Sequence, residues 1–457
     1  MRVAKNLREL NDMSYVKKMM LRQLQSFFTQ ESIQNSRLEV EIEDIDVVSW
    51  LRIQNYDEKI YWENRDKTFV IAGVGAARIF KSDCFDDFDK HLNLLPNGMR
   101  FYGGMRFDNS STCDALWRSF ANITFFIPQF EICRREDKVF FVTNILLKKG
   151  TTNSELFEII VNELERVEFF LSPTYDFEGL YNERVNSPSF DEWKEQFEDV
   201  QKQFCANEIE KIVLARRSTF VFSSCVDGFC LLQHFVNTQE NTYNFYIQWE
   251  KDCAFVGATP ERLYQRFHNR IYSEAVAGTR IRGKTLEEDS ELGKDLLSSS
   301  KDVKEHRLVV ENIQRVFNDI CKKYINVESP RLLKLKNLQH LYTSFEGILK
   351  KDIRDSDVLS LLHPTAAVCG LPKEKNIDLI AKLESFDRGW FAGPIGWLGK
   401  DSAEFAVAIR SCLVQNNILH LFAGAGIVES SSVEKEWNEI EDKMRNFDCI
   451  FGKESPL

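Results

Sequence analysis

Apolar residues recur along this chain with two different periods. Over residues 13–28, 154–170, 190–208 and 301–324 they return every three or four positions, which predicts amphipathic helices. Alternating or continuous apolar runs predict strands at 38–42, 69–77, 101–108, 123–127, 139–147, 211–217, 243–249, 254–258, 263–267, 270–276, 340–348, 393–414 and 418–428. Because helices interrupt the strands irregularly, the pattern predicts an α+β fold with large mixed or antiparallel sheets.

One stretch has the composition of an internal boundary. Residues 171–190 contain prolines, glycine and asparagines that are typical of turns and linkers. We therefore predict a division of the chain into residues 1–190 and residues 191–455.

The composition limits the classes of partner. The 457 residues carry a formal net charge of −11, which argues against broad nucleic-acid binding and against an anionic membrane surface. No apolar run reaches the roughly 18 residues of a membrane span, and no secretory signal begins the chain. The eleven cysteines and seven histidines match no metal-binding or redox spacing. We expect a cytoplasmic protein, a monomer or weak dimer, with a small-molecule ligand.

A segment rich in small residues near the C-terminus predicts a strand, a turn and the start of a helix. It covers residues 423–428, where Gly424 and Gly426 would let backbone N–H groups approach an anion. Ser431 and Glu434 fit a capping box, so a helix is expected to begin there.

Two predicted helices each carry a pair of carboxylates. Glu436 and Glu439 lie three positions apart on the helix that follows the glycines, and Lys443 lies one turn further on. Asp302 and Glu305 form a similar pair on the long helix. Each pair alone is explained by a solvated acidic face. The two together could hold a hard divalent cation such as Mg²⁺, which prefers oxygen ligands.

Residues 278–285 match the phosphate-binding pattern GxxxxGK followed by Ser or Thr. In a P-loop the backbone amides would surround phosphates, and Lys284 would reach the terminal phosphate. However, residues 286–291 are strongly acidic, and no convincing apolar strand ending in a metal-binding aspartate follows. A P-loop NTPase stays a distant alternative to a turn that matches the pattern by chance.

Three further charged residues have both a structural and a functional interpretation. Lys211 opens an apolar strand and would be exposed there on position alone. Glu261 follows Pro260 and would be a turn carboxylate. Arg410 ends a strand whose alternation directs it into the sheet, where a guanidinium requires an anion.

Taken in order, these segments resemble the chorismate-utilising enzymes, the isochorismate, salicylate, anthranilate and aminodeoxychorismate synthases. The matching stretches are residues 211–216, 257–262, 277–280, 300–306, 363–365, 388–393, 408–410 and 424–443. Residues 73–75 and 102–108 are similar to the isochorismate-synthase form of the N-terminal half. The resemblance implies two large sheets flanked by helices in one compact unit. Residues 1–190 would be its divergent half, and residues 191–455 its chorismate-binding catalytic region.

The resemblance also implies the binding residues. Glu305 and Glu439 would ligate Mg²⁺, with Asp302 and Glu436 close by or acting through water. Asp302 stands where some members have the longer Glu. The implied substrate-binding residues are Gly278, Thr279, His340, Phe391, Arg410, Gly424, Ala425, Gly426 and Lys443.

Residue type separates the reactions within the family. Family members that add water to the substrate carry a lysine at the position that matches Lys211. The resemblance therefore implies that Lys211 would act as general base. A free lysine, with a pKa of about 10.4, is a poor base at neutral pH, so this role requires a favourable environment. Glu261 would be the general acid that protonates the departing C4 hydroxyl while water adds at C2.

The expected activity is an Mg²⁺-dependent isochorismate synthase. Anthranilate synthases lack the lysine, and aminodeoxychorismate synthases have a lysine where this chain has Ala277. Salicylate synthase, which adds pyruvate elimination, stays open because it shares Lys211 and Glu261. A non-catalytic metal-binding protein is a further alternative. Whether the product would serve menaquinone, a siderophore or salicylate is also open.

Overall fold

The computed structural model describes residues 2–30, 32–85, 88–108, 114–169, 181–326, 330–335, 338–445 and 447. The α-helices in these residues are α1 Arg2–Phe28, α2 Val47–Ile53, α3 Phe88–Asn93, α4 Asn153–Arg166, α5 Phe190–Cys205, α6 Gly228–Thr238, α7 Leu286–Ser298, α8 Ser300–Ile320, α9 Asp355–Leu362, α10 Lys373–Leu383 and α11 Val433–Met444. The four helices expected from periodicity are confirmed as α1, α4, α5 and α8.

Strands outnumber helices in the described part of the chain. They are β1 Ser36–Ile42, β2 Lys59–Glu63, β3 Phe69–Ser82, β4 Arg100–Met105, β5 Ile123–Arg135, β6 Lys138–Ile145, β7 Tyr181–Ser187, β8 Lys211–Phe222, β9 Tyr243–Glu250, β10 Cys253–Thr259, β11 Arg262–Phe267, β12 Arg270–Ile281, β13 Cys321–Asn326, β14 Arg331–Lys334, β15 Leu338–Leu349, β16 Gly370–Leu371, β17 Pro394–Gly399, β18 Ser402–Val407, β19 Ser411–Gln415 and β20 Ile418–Ile427. The α+β class and the large β core flanked by helices are confirmed.

Antiparallel pairs connect these strands into one hydrogen-bonded network. The N-terminal strands lie inside that network, because β2 pairs with β9 and β4 pairs with β17. The strands of residues 36–145 are therefore joined through backbone hydrogen bonds to those of the C-terminal part. Of the predicted boundary at 171–190, residues 171–180 lie outside the described residues, and β7, which follows, pairs with β8.

The hydrophobic core is formed by residues of both the strands and the helices. Strand β10 is buried along its whole length, and β9 is buried except at its last residue. Full burial on both faces explains why the sequence of β10 is a nearly continuous apolar run rather than an alternating one. No helix in the described ranges has the length and apolar character needed to cross a membrane.

Two local predictions near the C-terminus are wrong. The glycines at 424 and 426 lie within β20, which stays paired with β8 through this segment, so they form no turn. Helix α11 begins one residue later than predicted, with Ser432 at the N-cap and no side-chain cap. Ser431 instead accepts a hydrogen bond at Oγ from the N–H of Val428 at 3.1 Å.

The P-loop interpretation of residues 278–285 is also wrong. Residues 278–281 belong to β12, where Thr279 pairs with His340 of β15, so no loop is free to enclose a phosphate. Thr285 caps α7 by accepting a hydrogen bond from the N–H of Glu288, and Lys284 is exposed. The match arises from a strand end followed by a normal helix cap.

Candidate active site

Strands β8, β12, β15 and β20 and helices α8 and α11 line a cavity. Most of the predicted site residues line it: Glu261, Gly278, Thr279, Glu305, His340, Phe391, Arg410, Gly424, Gly426, Glu439 and Lys443. Lys211, Ala425, Asp302 and Glu436 do not line it.

Lys211 is fully buried, so the exposed strand-end interpretation is wrong. Side chains alternate along β8, so Lys211 shares a face with Val213 and Ala215, which both line the cavity. Its Nζ lies 2.9 Å from Oε1 of Glu305, which is also at the cavity. The lysine therefore lies directly behind the cavity wall.

Two side chains approach position 426 so closely that only glycine fits there. A Cβ at this position would lie 2.5 Å from Oε1 of Glu305 and 3.1 Å from Cε of Lys211. At Gly424 the carbonyl oxygen accepts a hydrogen bond from Nζ of Lys443 at 2.8 Å. Ala425, between them, pairs with Leu214 and is fully buried away from the cavity. The small residues of β20 thus make room for the lysine and the carboxylate.

Glu261 is a buried carboxyl group that follows β10. Its Oε1 accepts a hydrogen bond from Oγ1 of Thr365 at 3.4 Å. Burial raises the pKa of Glu261 to about 7, against the opposing charge of Lys211. At neutral pH a large fraction of this group therefore holds a proton that it can donate.

Arg410 and Lys443 both line the cavity and place positive charge there. Arg410 lies between β18 and β19 with φ of 51°, and its NH1 donates to the carbonyl oxygen of Lys443 at 3.2 Å. Burial lowers the pKa of Arg410 to about 10, and Glu439 only partly offsets this. Arg410 forms no ion pair with a described carboxylate. A buried guanidinium without a bound carboxylate favours an anionic ligand.

His340 offers a hydrogen-bond acceptor to the cavity. Its Nδ1 lies 3.2 Å from the carbonyl oxygen of Gly278 and 3.1 Å from Oγ1 of Thr279. Since a carbonyl can only accept, we assign the proton to Nδ1, which leaves Nε2 as an acceptor. Burial lowers the pKa of His340 to about 3, with Arg410 and Lys443 acting in the same direction, so the ring is neutral. Nε2 is buried without a partner among the described residues.

The carboxylates of α8 and α11 favour a positive charge between the two helices. Nζ of Lys301 lies 2.5 Å from Oε1 of Glu436. Burial alone would lower the pKa of Lys301, but Glu436, Glu439 and Glu305 outweigh burial and raise it. Oε2 of Glu436 is buried and has no hydrogen-bond partner in the described part of the chain.

Glu305, Glu436 and Glu439 bring carboxylate oxygens to this region, and Mg²⁺ prefers oxygen ligands. Within the described ranges, no three His, Cys, Asp or Glu side chains are grouped closely enough to hold a metal by themselves. Mg²⁺ is commonly bound by one or two carboxylates, with waters and substrate oxygens as the other ligands. Glu305 and Glu439, which both line the cavity, can supply that part.

Sequence reasoning missed Arg388, which also lines the cavity. Its Nε donates to Glu384 at 2.8 Å, and its NH1 and NH2 donate to the carbonyl oxygens of Val368 and Val213. The residue stands in the matched segment 388–393, but nothing in its neighbours indicates that an arginine there points inward. Membership of that segment was the only available signal.

One family of known proteins matches most of this chain. A family model described as chorismate binding enzyme matches residues 21–450. The chain belongs to the chorismate-binding enzyme family. The match spans both the N-terminal strands and the cavity.

Individual relatives of this chorismate-binding enzyme are isochorismate synthases. It is 34% identical over 415 residues to isochorismate synthase 2, chloroplastic, of Arabidopsis thaliana, covering 85% of this chain and 71% of the relative. It is 29% identical over 444 residues to isochorismate synthase MenF of Bacillus subtilis, covering 91% and 93%.

Solved structures agree with the sequence comparison. The fold is similar to MenF, the menaquinone-specific isochorismate synthase from Escherichia coli, with a TM-score of 0.86, 27% identity and coverage of 96% of this chain and 99% of MenF. Anthranilate synthase component I from Streptococcus pneumoniae shares the fold at 20% identity with a TM-score of 0.67, covering 91% and 93%.

Proposed function

We propose that this enzyme is an Mg²⁺-dependent isochorismate synthase, which converts chorismate to isochorismate. The observation that carries the proposal is the placement of two buried groups: Glu261, a partly protonated carboxyl that lines the cavity, and Lys211, a lysine directly behind its wall. Arg410 and Lys443 add the positive charge that a dicarboxylate requires. The isochorismate synthases among the relatives support this choice of reaction.

The side chains divide the reaction between them. Arg410 and Lys443 bind the carboxylates of chorismate and fix the ring in the cavity. Lys211 removes a proton from a water molecule whose oxygen bonds to C2, and the ring double bonds shift. The bond between C4 and its hydroxyl oxygen breaks, and Glu261 gives its proton to the leaving group, which departs as water. One water enters and one leaves, so atoms and charge balance.

Glu305 and Glu439 would hold Mg²⁺, with Glu436 next to Glu439 on the same helix. The bound cation would supply charge neutralisation and Lewis acidity at a substrate carboxylate. Gly426 belongs to this arrangement because only a residue without Cβ leaves room for the carboxylate of Glu305. We expect EDTA to stop turnover and added Mg²⁺ to restore it. Turnover that is unaffected by chelation would contradict the metal assignment.

Product analysis of three variants tests the assignment of acid and base. Lys211→Ala and Glu261→Gln should each lower kcat by at least about 100-fold, the usual range for general acid–base groups. Lys284→Ala, which removes an exposed lysine of the rejected P-loop match, is the matched control and should retain wild-type turnover. Chromatography of the products would show isochorismate from the wild type. Salicylate with released pyruvate would favour salicylate synthase, and anthranilate would contradict the proposal.

A further inference from the structure

The turn that carries Glu261 is held from the N-terminal half of the chain. Arg65 lies between β2 and β3, and its NH1 donates to the carbonyl oxygen of Pro260 at 3.1 Å. The same guanidinium binds Glu274 of β12 through NH2 to Oε2 at 2.8 Å and NH1 to Oε1 at 2.6 Å. Oε1 of Glu274 also accepts the backbone N–H of Arg262 at 3.1 Å. Arg65 and Glu274 thus hold the peptide groups on both sides of Glu261.

The other backbone groups of this turn are bound by the C-terminal strands. The N–H of Glu261 donates to Oγ1 of Thr259 at 3.3 Å. The carbonyl oxygen of Glu261 accepts the N–H of Val407 at 3.0 Å, and Oγ1 of Thr259 donates to the carbonyl of Val407 at 2.7 Å. The pair of Arg65 and Glu274 therefore completes the set of contacts that fix the acid in space.

The local sequence builds Arg65 into this position. Asn64 closes the turn, because its Oδ1 accepts the N–H of Phe69 at 3.0 Å and its Nδ2 donates to Oγ1 of Thr68 at 3.0 Å. The guanidinium of Arg65 lies over the ring of Tyr243, 5.3 Å from its centroid. The side chain of Glu274 is 1% exposed and that of Arg65 is 14% exposed. Loss of Arg65 would leave buried Glu274 with only the more distant Arg262, whose NH1 lies 3.9 Å from its Oε2, as a cationic partner among the described residues.

We infer that Arg65 is a positioning residue for Glu261, fixing its flanking peptides together with Glu274 and neutralising the nearby charge of Glu274. The inference deepens the proposed function and depends on it. The charged groups that act on Glu261 are Lys211 from β8, Glu274 from β12 and Lys443 from α11, and Thr365 adds a hydrogen bond. Among them, Glu274 raises the pKa of Glu261, so loss of the Arg65 charge that neutralises Glu274 would raise it further.

The variant Arg65→Met tests this role through kcat, KM and the pH dependence of kcat. We expect kcat to fall about 10- to 100-fold, because a small displacement of an acid costs this much, while KM for chorismate changes little. The alkaline limb of kcat should move to higher pH, since Glu261 must be protonated to act. The double variant Arg65→Met with Glu274→Gln should return the limb to the wild-type pH. The amide introduced by Glu274→Gln would keep an acceptor for the N–H of Arg262 without the charge.

Two further variants separate positioning from stability. Arg37→Met removes another buried arginine of the same half, whose NH1 binds Glu131 at 2.9 Å, and should lower the thermal midpoint without moving the limb. Arg65→Lys keeps the charge but cannot bind both Pro260 and Glu274 in the same way, so kcat should fall with the limb unmoved. This variant decides the question if Arg65→Met does not fold.

The outcomes distinguish failure of the positioning role from failure of the proposed function. A wild-type enzyme that makes no isochorismate would overturn the proposed function. An active wild type, with Arg65→Met and Arg65→Lys both retaining kcat and the wild-type limb, would overturn the positioning role alone.

Discussion

Helices α8 and α11 each carry two carboxylates three residues apart, yet the four side chains bind different partners. On each helix the later residue, Glu305 or Glu439, lines the cavity, and the earlier one, Asp302 or Glu436, does not. Asp302 is bound by NH2 of Arg280 at 2.9 Å, which ties α8 to β12. Glu436 is bound by Lys301, which ties α11 to α8.

Asp302 and Glu436, the earlier residues of the two pairs, differ in whether their charge acts on a carboxylate that lines the cavity. The pKa of Glu436 is raised by burial and by the neighbouring charge of Glu439, so the two carboxylates of α11 act on each other. Burial alone would raise the pKa of Glu439, but Lys443, Lys301 and Arg410 lower it. The charge of Asp302 is compensated by an arginine outside the cavity lining. Equal spacing therefore predicts that the two carboxylates of a pair share a helix face. Their cationic partners nevertheless differ, and of the four carboxylates Glu305 and Glu439 line the cavity.

The largest effect is expected for the two residues that line the cavity. Glu305→Gln and Glu439→Gln should each lower kcat/KM by more than about 100-fold, because each removes a carboxylate that would hold Mg²⁺ and the substrate with it. Steady-state kinetics over a series of Mg²⁺ concentrations would measure this. A variant that reaches wild-type kcat/KM without excess Mg²⁺ would contradict the role of that residue.

The next effect is expected for Gly426→Ala. The new methyl group would meet Oε1 of Glu305 at 2.5 Å and displace it, so Mg²⁺ binding should weaken about 10- to 100-fold. Isothermal calorimetry with Mg²⁺ measures this without relying on turnover. Gly150→Ala, at an exposed turn where a Cβ meets nothing within 4 Å, is the control that should leave Mg²⁺ binding unchanged. Equal affinity in the Gly426→Ala and wild-type proteins would show that Glu305 is not confined by this strand.

A smaller effect should follow Glu436→Gln. This change removes the charge that acts on Glu439 while keeping an acceptor for Lys301. We expect the Mg²⁺ concentration for half-maximal activity to rise about 10-fold, as for supporting residues of other metal sites, with kcat restored at saturation. A kcat that stays low at saturating Mg²⁺ would place Glu436 among the directly binding residues.

The smallest effect on Mg²⁺ is expected for Asp302→Asn. Its carboxylate is paired with Arg280, which also binds Asp295 at 2.8 Å, so the change should lower the thermal midpoint rather than Mg²⁺ affinity. Differential scanning fluorimetry and the Mg²⁺ titration together check this. If Asp302→Asn and Glu436→Gln shifted the Mg²⁺ titration equally, the distinction between the two helices would be lost.

The sequence predicts those parts of the fold and site that depend on short-range spacing. The pairs Asp302 with Glu305 and Glu436 with Glu439 share helix faces because three residues make nearly one turn. The strand Lys211–Phe222 follows from a local apolar run. Helices α1, α4, α5 and α8 and most strands were predictable for the same reason, whereas shorter helices such as α2 and α3 were not.

The remaining features depend on contacts between distant parts of the chain. Arg65 and Pro260 are separated by 195 positions, so nothing near either residue indicates their hydrogen bond. The glycines of β20 predict a turn when considered alone, and the approach of Glu305 explains why a glycine stands at 426 within a strand. Lys211 looks like an exposed strand end until β20 and α8 cover it. The burial of the charged group of Lys211 is thus a property that the local pattern did not reveal.

In the proposed mechanism, Glu261 protonates the departing C4 hydroxyl while a separate water adds at C2. The most direct test is turnover of chorismate in oxygen-18 water with Mg²⁺, followed by mass spectrometry of the purified product. We expect isochorismate that carries one oxygen-18 atom at its new C2 hydroxyl. Isochorismate without the label would mean that the original hydroxyl migrates within the molecule, which would contradict the roles of Lys211 and Glu261.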